Sequence, residues 1–227
     1  TVDCGISNKT EVAYAQSLGL DVVVTDHHTP PDDLPVATAV VNPRLSFCAY
    51  PDKGLVGVGV AYKLVQAIGQ LGMPLPSHAM YELLDLVALG TIADLGPLTG
   101  ENRALVADGL VCMAQSTRPG IVALRQVAGL DGTHINADDV AFKLAPRINA
   151  AGRLDDAAPA YELLLASDMA TATQYAATLN DINTQRQQFT KALQERIATD
   201  IVQIGRQHDT IIVHADPDAH AGLVGLV

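Results

Sequence analysis

The chain has 227 residues, 48% of them hydrophobic, and a formal net charge of −11. This length can bury the core of one large domain, or of one domain and part of another. No apolar run is long enough to span a bilayer, so we predict a soluble protein with no membrane partner. Residues 1–3 lack the basic segment that begins a secretory signal, and the three cysteines lack metal-site spacing, which together favour a cytoplasmic protein with reduced thiols.

Helix and strand signals alternate through the first half of the chain. Ser7 or Asn8 can cap a helix that runs to about Leu18. Two β-branched runs follow, over 21–25 and 37–41, and are predicted strands. Asp3 also lies at what looks like the end of a strand before the helix. A strand, helix, strand, strand order is typical of an α/β fold with a doubly wound, mostly parallel sheet, and this is the fold class that we predict. Helical periodicity then covers 60–71, 81–89 and 101–115.

The second half of the chain is predicted to be mainly helical. Its shorter helices are expected over 120–127, 137–144 and 157–166. A long, glutamine-rich helix follows over 168–207, and we interpret it as a connecting helix that bridges through solvent. Its apolar stripe consists of Ile182, Phe189, Leu193, Ile197 and Ile201. A predicted strand over 210–213 then begins a second α/β domain.

The tripeptide Asp26-His27-His28 directly follows the predicted strand 21–25. In open parallel sheets, ligands bind at the carboxyl ends of the strands. Carboxylate oxygens mixed with imidazole nitrogens suit Mn²⁺ or Mg²⁺ better than a thiolate zinc site does. Asp3 and Asp94 also follow apolar runs. Either acid alone is more often a cap or a turn former, but together the three acidic segments indicate a hydrolytic site in which two ions activate water and clamp a phosphate.

Several segments, in order along nearly the whole chain, resemble motifs of a known family. The segments 2–5, 26–28 and 90–94 are similar to successive motifs of the DHH phosphoesterase superfamily. Within that superfamily the chain most resembles the RecJ-like exonucleases, which degrade single-stranded DNA from 5′ to 3′, because of the segments 57–64, 101–103 and 144–154. The resemblance implies a nuclease that hydrolyses phosphodiester bonds in DNA repair and recombination.

The resemblance also implies roles for individual residues in a metal site. Asp3 is implied as a metal ligand that bridges two ions, because a carboxylate has two oxygens. His27 and Asp94 are implied as ligands of one ion. His28 is implied as a phosphate contact or as a proton donor to the leaving oxygen. Asp26 either orients His27 or serves only as a turn former at the strand end.

A second group of residues is implied to bind nucleic acid. Arg147, Asn149 and Arg153 correspond to contacts with the DNA backbone, and the planar fork of an arginine matches phosphate oxygens. Without the resemblance, these arginines could equally form surface ion pairs with Asp155 and Asp156.

His220 and Gly222 resemble the glycine-bearing turn of the family's second domain, where backbone N–H groups can hold a phosphate. Here Ala219 and Ala221 replace the aromatic residue and the proline or polar residue that the motif leads us to expect.

The acidic composition limits how DNA can be bound. A surface that grips phosphates is usually basic, whereas this chain has 25 acidic and 14 basic residues, no Trp and three Phe. We therefore predict local contacts with single-stranded DNA by a few arginines, and no extended platform for base stacking. The resemblance implies further repair proteins as partners, such as a helicase or a single-strand-binding protein.

The resemblance also predicts domain boundaries. Residues 1–166 are expected to form a DHH phosphoesterase domain, 167–207 the connecting helix, and 208–227 the beginning of a DHHA1-like second domain. Related proteins carry a paired-aspartate motif on an earlier strand, and no such motif precedes Asp3. We therefore expect a chain truncated at both ends, with an incomplete two-metal site and little activity alone.

Two alternatives remain open from the sequence. The first is another DHH phosphodiesterase, which cleaves short oligonucleotides, cyclic dinucleotides or pyrophosphate, although such enzymes should lack the 144–154 segment and the long helix. The second is a non-catalytic nucleic-acid-binding module. The presence of Asp3, His27, His28 and Asp94 argues against that second alternative.

Overall fold

The computed structural model describes residues 1–73, 75–132, 134–154 and 156–227. These residues pack into two compact units. The first unit comprises Thr1–Ser116 and Gly132–Ala141, and the second unit comprises Thr117–Asp131 and Phe142–Val227. Among the described helices, none combines the length and the apolar character that crossing a membrane requires.

The regular elements follow the predicted order closely. They are α1 (Lys9–Ser17), β1 (Val23–Thr25), β2 (Ala39–Val41), α2 (Gly57–Gln70), α3 (Ser77–Glu82), α4 (Leu84–Ala93), α5 (Gly100–Gln115), α6 (Pro119–Val127), α7 (Ala137–Asp139), a π-helical turn (Val140–Leu144), α8 (Ala145–Leu154), α9 (Ala158–Leu165), α10 (Met169–Gln203) and a 3₁₀ helix (Ala221–Leu226).

The helix α8 was not predicted, because Pro146 interrupts its sequence. A proline lacks a backbone N–H and usually interrupts the hydrogen-bond pattern of a helix. The helical stretch 137–154 is nevertheless continuous, and Pro146 lies directly after its π-helical turn, where the hydrogen-bond pattern changes. The predicted helix over 137–144 is formed as α7 followed by this π-helical turn.

The sheet of the first unit positions the tripeptide Asp26-His27-His28. β1 and β2 pair in parallel, with Val24 opposite Val40, which confirms the predicted parallel arrangement in an α/β fold. Among the described residues this sheet has two strands, and Cys4 adds an isolated antiparallel bridge to Thr25. The Asp26 N–H donates to the Val41 carbonyl at 3.0 Å, so the ladder ends at the residue where the tripeptide begins.

Asp94 is positioned by a helix, not by a strand. It directly follows α4, which is buried on most sides and packs against α5 and α2. Gly109 of α5 permits this close packing, because a Cβ atom there would overlap the Leu84 carbonyl oxygen of α4. Asp94 lies one residue beyond the C-terminus of α4, and its N–H donates to the Gly90 carbonyl at 3.0 Å.

The second unit is a helical assembly built around α10. Its buried residues include Ala172, Ala176, Leu179 and Asn183, which recur every three or four positions and therefore share one face. The long helix is confirmed, but its interpretation as solvent-bridging is wrong, because this face packs against α6, α8 and α9. Small alanines made the face look weakly apolar in the sequence, whereas the predicted stripe residue Phe189 is 53% exposed.

The predicted strand over 210–213 is not formed. A strand needs a neighbouring strand for its backbone hydrogen bonds. Among the described residues, no strand lies beside the segment 210–213. The three predicted domain segments, 1–166, 167–207 and 208–227, stay predictions, because compact packing does not by itself define a family's domain boundaries.

The packing of the second unit predicts a contrast between two leucines of α9. Leu163 is completely buried and Leu165 is 59% exposed. Leu163→Ala should lower the free energy of unfolding by about 2–5 kcal/mol, because it leaves a cavity, whereas Leu165→Ala should change it by less than about 1 kcal/mol. Urea unfolding followed by circular dichroism measures both, and equal losses would contradict the described packing of α9.

Candidate metal centre

The Asp26 carboxylate is the centre of a compact hydrogen-bond network. Its Oδ1 accepts from the backbone N–H of His27 at 2.7 Å, from the N–H of His28 at 2.9 Å and from the His28 ring Nδ1 at 2.7 Å. Its Oδ2 accepts from the Ile6 N–H at 2.9 Å. Asp26 is only 1% exposed, and these four donors are all protein groups. It contacts the ring of His28 and the backbone N–H of His27, and its predicted role in orienting His27 stays a prediction.

The protonation of this pair follows from the same network. Burial acts to raise the pKa of Asp26, but its hydrogen bonds outweigh burial and hold that pKa below the ordinary value. The hydrogen bond to Asp26 raises the pKa of His28; burial opposes this rise, and the charges of Asp26, Asp3 and Asp94 support it. Because a carboxylate only accepts, Nδ1 of His28 carries the shared proton.

His27 lies between two carboxylates without a hydrogen bond to either. Its Nε2 is 3.5 Å from Asp3 Oδ2 and 3.5 Å from Asp94 Oδ2, and its side chain is 8% exposed. Within the described part of the chain, this buried Nε2 has no hydrogen-bond partner. A buried polar atom without a partner is costly and calls for an explanation, such as an ion that binds there.

Asp3 is held in an unusual backbone conformation beside α2. Its φ is 53°, in the left-handed region that non-glycine residues rarely adopt. Burial raises the pKa of Asp3, although the neighbouring charges of His27 and His28 lower it. Gly57, the first residue of α2, lies directly against the Asp3 carboxylate, because a Cβ atom at position 57 would overlap it.

These side chains have the donor set and the spacing of a divalent-cation site. Potential ligand atoms of Asp3, His27 and His28 lie within 4.8 Å of one another, and Asp94 Oδ2 is 3.5 Å from the same His27 Nε2 that Asp3 approaches. A separation of 3.5 Å is too long for a good hydrogen bond but leaves room for an ion that both atoms ligate. The predicted convergence of Asp3, His27 and Asp94 therefore occurs, and the group fits Mn²⁺ or Mg²⁺.

A pocket of about 310 Å³ opens beside this cluster. Its lining includes His27, His28 and Asp94 of the cluster, together with Thr29 and Arg44. The pocket is therefore wide enough to admit a ligand that reaches the atoms of the cluster.

Asn102 and Asn42 support the loops around the pocket. The Asn102 amide donates to the Gly54 and Pro97 carbonyl oxygens, at 2.7 and 3.1 Å, and so joins two loops that line the pocket. The Asn42 amide donates to the His28 carbonyl oxygen at 2.9 Å. Sequence reasoning gave neither residue a role, although Asn102 lies in the 101–103 segment that carries the family resemblance.

In the second unit, Arg147 is committed to internal contacts. Its guanidinium donates to Asn180 Oδ1 at 3.1 Å and to the carbonyl oxygens of Lys143 and Val127, at 2.6 and 3.3 Å. Burial lowers the pKa of Arg147. Asn149, the residue predicted with it, is exposed.

The other residues predicted to bind nucleic acid lie together within the second unit. Arg153 Nη1 donates to the Gly222 carbonyl at 3.3 Å, and the Gly222 N–H donates to His220 Nδ1 at 3.2 Å. Of the alternative ion-pair partners, Asp155 lies outside the described residues and Asp156 accepts a hydrogen bond from the Ala158 N–H. The binding roles of Arg147, Asn149, Arg153, His220 and Gly222 stay predictions.

Comparison with known proteins agrees with this geometry. The DHH family, N-terminal domain, matches residues 1–91. The single-stranded-DNA-specific exonucleases RecJ of Dickeya dadantii and Bacillus subtilis are each 42% identical across the whole chain. Residues 1–91 therefore match a DHH N-terminal domain, and the whole chain is similar to these RecJ exonucleases. It spans 42% and 28% of the lengths of these two relatives.

Solved structures resemble the chain over its whole length. The structure of Thermus thermophilus RecJ in complex with Mn²⁺ matches it with a TM-score of 0.84 and 38% identity, and the chain covers 33% of that protein. A structure of exonuclease RecJ bound to manganese matches with a TM-score of 0.82 and 40% identity, and the chain covers 55% of it. The chain therefore shares its fold with proteins whose structures contain manganese.

Because the Asp26 carboxylate is buried and accepts several hydrogen bonds, we predict that it stabilises the first unit in a pH-dependent way. At about pH 7, Asp26→Asn should lower the free energy of unfolding by on the order of 2–4 kcal/mol, because the amide replaces an acceptor of several N–H groups. Since the folded pKa lies below the ordinary 3.8, this stabilisation is complete above about pH 5 and is lost as the pH falls through the folded pKa.

Denaturant unfolding at neutral and acidic pH measures this difference between the parent and Asp26→Asn proteins. The exposed carboxylate Asp32 provides the control, as Asp32→Asn should be nearly neutral at both pH values. A destabilisation by Asp26→Asn that stays constant into strong acid would refute the described network.

Proposed function

We propose that this chain forms catalytic and DNA-contacting parts of a metal-dependent exonuclease that degrades single-stranded DNA from the 5′ end. The observation that carries the proposal is the buried His27 Nε2, 3.5 Å from both Asp3 and Asp94 and without a hydrogen-bond partner among the described residues. The similar RecJ proteins are single-stranded-DNA-specific exonucleases, which supports the substrate, and the manganese and magnesium in related structures support the cofactor.

In this proposal, Asp3, His27 and Asp94 hold divalent cations, Mn²⁺ or Mg²⁺, with Asp3 as the bridging ligand of two ions. Bound cations of this kind activate water and neutralise charge on the phosphate under attack. The residues themselves contribute a fixed arrangement, because the contact between Asp3 and Gly57 and the position of Asp94 at the end of α4 limit movement of both carboxylates.

His28 contacts the phosphate or donates the proton that the leaving oxygen requires. Its Nδ1 is held by Asp26, which leaves Nε2 as the ring atom available to a substrate. The raised pKa of His28 keeps a larger fraction of the ring protonated near neutral pH than an ordinary histidine would have, and this suits a proton donor. Asp26 thus supports His28 as its positioning residue.

In the second unit, we propose that Asn149 and Arg153 contact the DNA backbone near His220 and Gly222. Arg147 satisfies three acceptors within its own unit, which supports a role in fixing the orientation of α8. As an enzyme of DNA repair and recombination, the protein would work in the cytoplasm on strands that a helicase or a single-strand-binding protein also handles.

The ligand roles predict the effect of removing one imidazole or one carboxylate. In a protein that carries this chain at the length of its RecJ relatives, His27→Ala and Asp94→Ala should each reduce Mn²⁺-dependent cleavage of a 5′-phosphorylated single strand to below roughly one thousandth of the parent rate. His78→Ala provides the control, because His78 is an exposed histidine of α3.

Release of nucleotides from a 5′-labelled strand measures these rates, with a cyclic dinucleotide as the comparison substrate. Full activity of either variant would rule out its ligand role. Preferential turnover of the cyclic dinucleotide by the parent would instead favour a different DHH phosphodiesterase.

The close contact at Gly57 predicts a loss of metal affinity. In Gly57→Ala, the added methyl group overlaps the Asp3 carboxylate, so this carboxylate must leave its present position 3.5 Å from His27 Nε2. We expect the Mn²⁺ dissociation constant to rise by about 10- to 100-fold, as for other changes that displace a ligand. Titration calorimetry measures it, and Gly132→Ala is the control, because the nearest atom to its new Cβ is 4.0 Å away. Unchanged Mn²⁺ affinity in Gly57→Ala would show that Asp3 is not a ligand.

A further inference from the structure

Arg44 lies in the pocket beside the metal cluster, and neither the sequence patterns nor the proposed reaction gives it a role. It follows β2 by three residues and lines the pocket together with His28 and Asp94. Among the described residues that line this pocket, Arg44 is the one lysine or arginine. It is therefore the permanent positive charge that a ligand in the pocket would meet.

The backbone of Arg44 is linked through Asn42 to the segment that carries His28. The Arg44 N–H donates to Asn42 Oδ1 at 2.8 Å, and the Asn42 amide donates to the His28 carbonyl oxygen at 2.9 Å. Asn42 itself is 2% exposed, so the linkage is buried. The position of Arg44 is thus tied through one side chain to the position of His28.

The guanidinium of Arg44, by contrast, is held only weakly. It donates to Thr29 Oγ1 at 3.3 Å and to the Lys53 carbonyl oxygen at 3.4 Å, which are long for hydrogen bonds to a charged donor. Within the described residues, no carboxylate pairs with it, although acidic residues exceed basic ones by 25 to 14 in the chain. An exposed arginine with weak neutral partners retains donors for an anionic ligand.

We propose that Arg44 binds a phosphate of the single-stranded DNA that occupies this pocket, and so sets the position of the strand relative to His27 and His28. The inference rests on the proposed function, which supplies the substrate. Arg44 and the carboxylates have complementary roles in this pocket. The carboxylates hold cations, whereas the guanidinium of Arg44 presents a planar fork to phosphate oxygens. This contact also meets the expectation that an acidic chain binds DNA through a few local arginines.

The test compares three variants in a protein that carries this chain at the length of its RecJ relatives. Arg44→Gln removes the charge, Arg44→Lys keeps a charge without the fork, and Arg103→Gln removes an exposed arginine of α5 in the same unit. Fluorescence anisotropy measures binding of a 5′-phosphorylated oligothymidylate over a range of salt concentrations. Mn²⁺ affinity is measured separately by titration calorimetry.

We expect Arg44→Gln to raise the DNA dissociation constant by about tenfold, with Arg44→Lys in between and Arg103→Gln within about twofold of the parent. Loss of one phosphate contact should also make the slope of log affinity against log salt shallower by roughly 0.7. Mn²⁺ affinity should be unchanged, because Arg44 contacts none of the proposed metal ligands.

Two results would overturn the inference. Equal DNA affinity and salt dependence in Arg44→Gln and Arg103→Gln would show that Arg44 does not contact the strand. Parallel loss of Mn²⁺ and DNA binding in Arg44→Gln would show that Arg44 only maintains the loop. If the parent protein itself neither binds nor cleaves single-stranded DNA, the proposed function fails, and with it the substrate that Arg44 was inferred to hold.

Discussion

The candidate site depends on the buried Asp26 carboxylate and the N–H groups that surround it. One of its oxygens binds the backbone of His27 and His28 and the ring of His28, and the other binds the Ile6 N–H twenty residues earlier in the chain. This last bond joins the turn that follows Asp3 to the end of β1. It acts together with the isolated bridge from Cys4 to Thr25 and the contact of Asp3 with Gly57 to keep Asp3 near the histidines. Ionised carboxylates that accept several N–H groups are strong enough to impose such a geometry.

The arrangement around His27 costs stability unless something binds there. Two carboxylates approach a buried imidazole nitrogen that has no hydrogen-bond partner among the described residues, and burial raises the pKa of Asp3. A divalent cation would offset these costs, because it would supply positive charge to the carboxylates and a bond to the imidazole. Unfavourable local electrostatics of this kind are typical of functional sites. The site is thus better suited to holding ions than to stabilising the protein without them.

The sequence predicted the parts of this structure that depend on local pattern. The parallel pair of strands, most helices and the convergence of Asp3, His27 and Asp94 followed from apolar periodicity and from the motif resemblance. Contacts between distant residues were missed. The hydrogen bonds of Asn102 to Gly54 and Pro97, the packing of Gly57 on Asp3 and the buried alanine face of α10 all require knowledge of which segments meet. Pro146 hid α8, because the sequence does not show that a π-helical turn precedes this proline and lets the helix continue past it.

The most direct test of this account is a crystal structure of a protein containing this chain, grown with Mn²⁺ and measured at the manganese absorption edge. We expect an anomalous peak within about 2.5 Å of both His27 Nε2 and a carboxylate oxygen of Asp3. A peak elsewhere, with His27 Nε2 hydrogen-bonded to a protein group or to water, would contradict it.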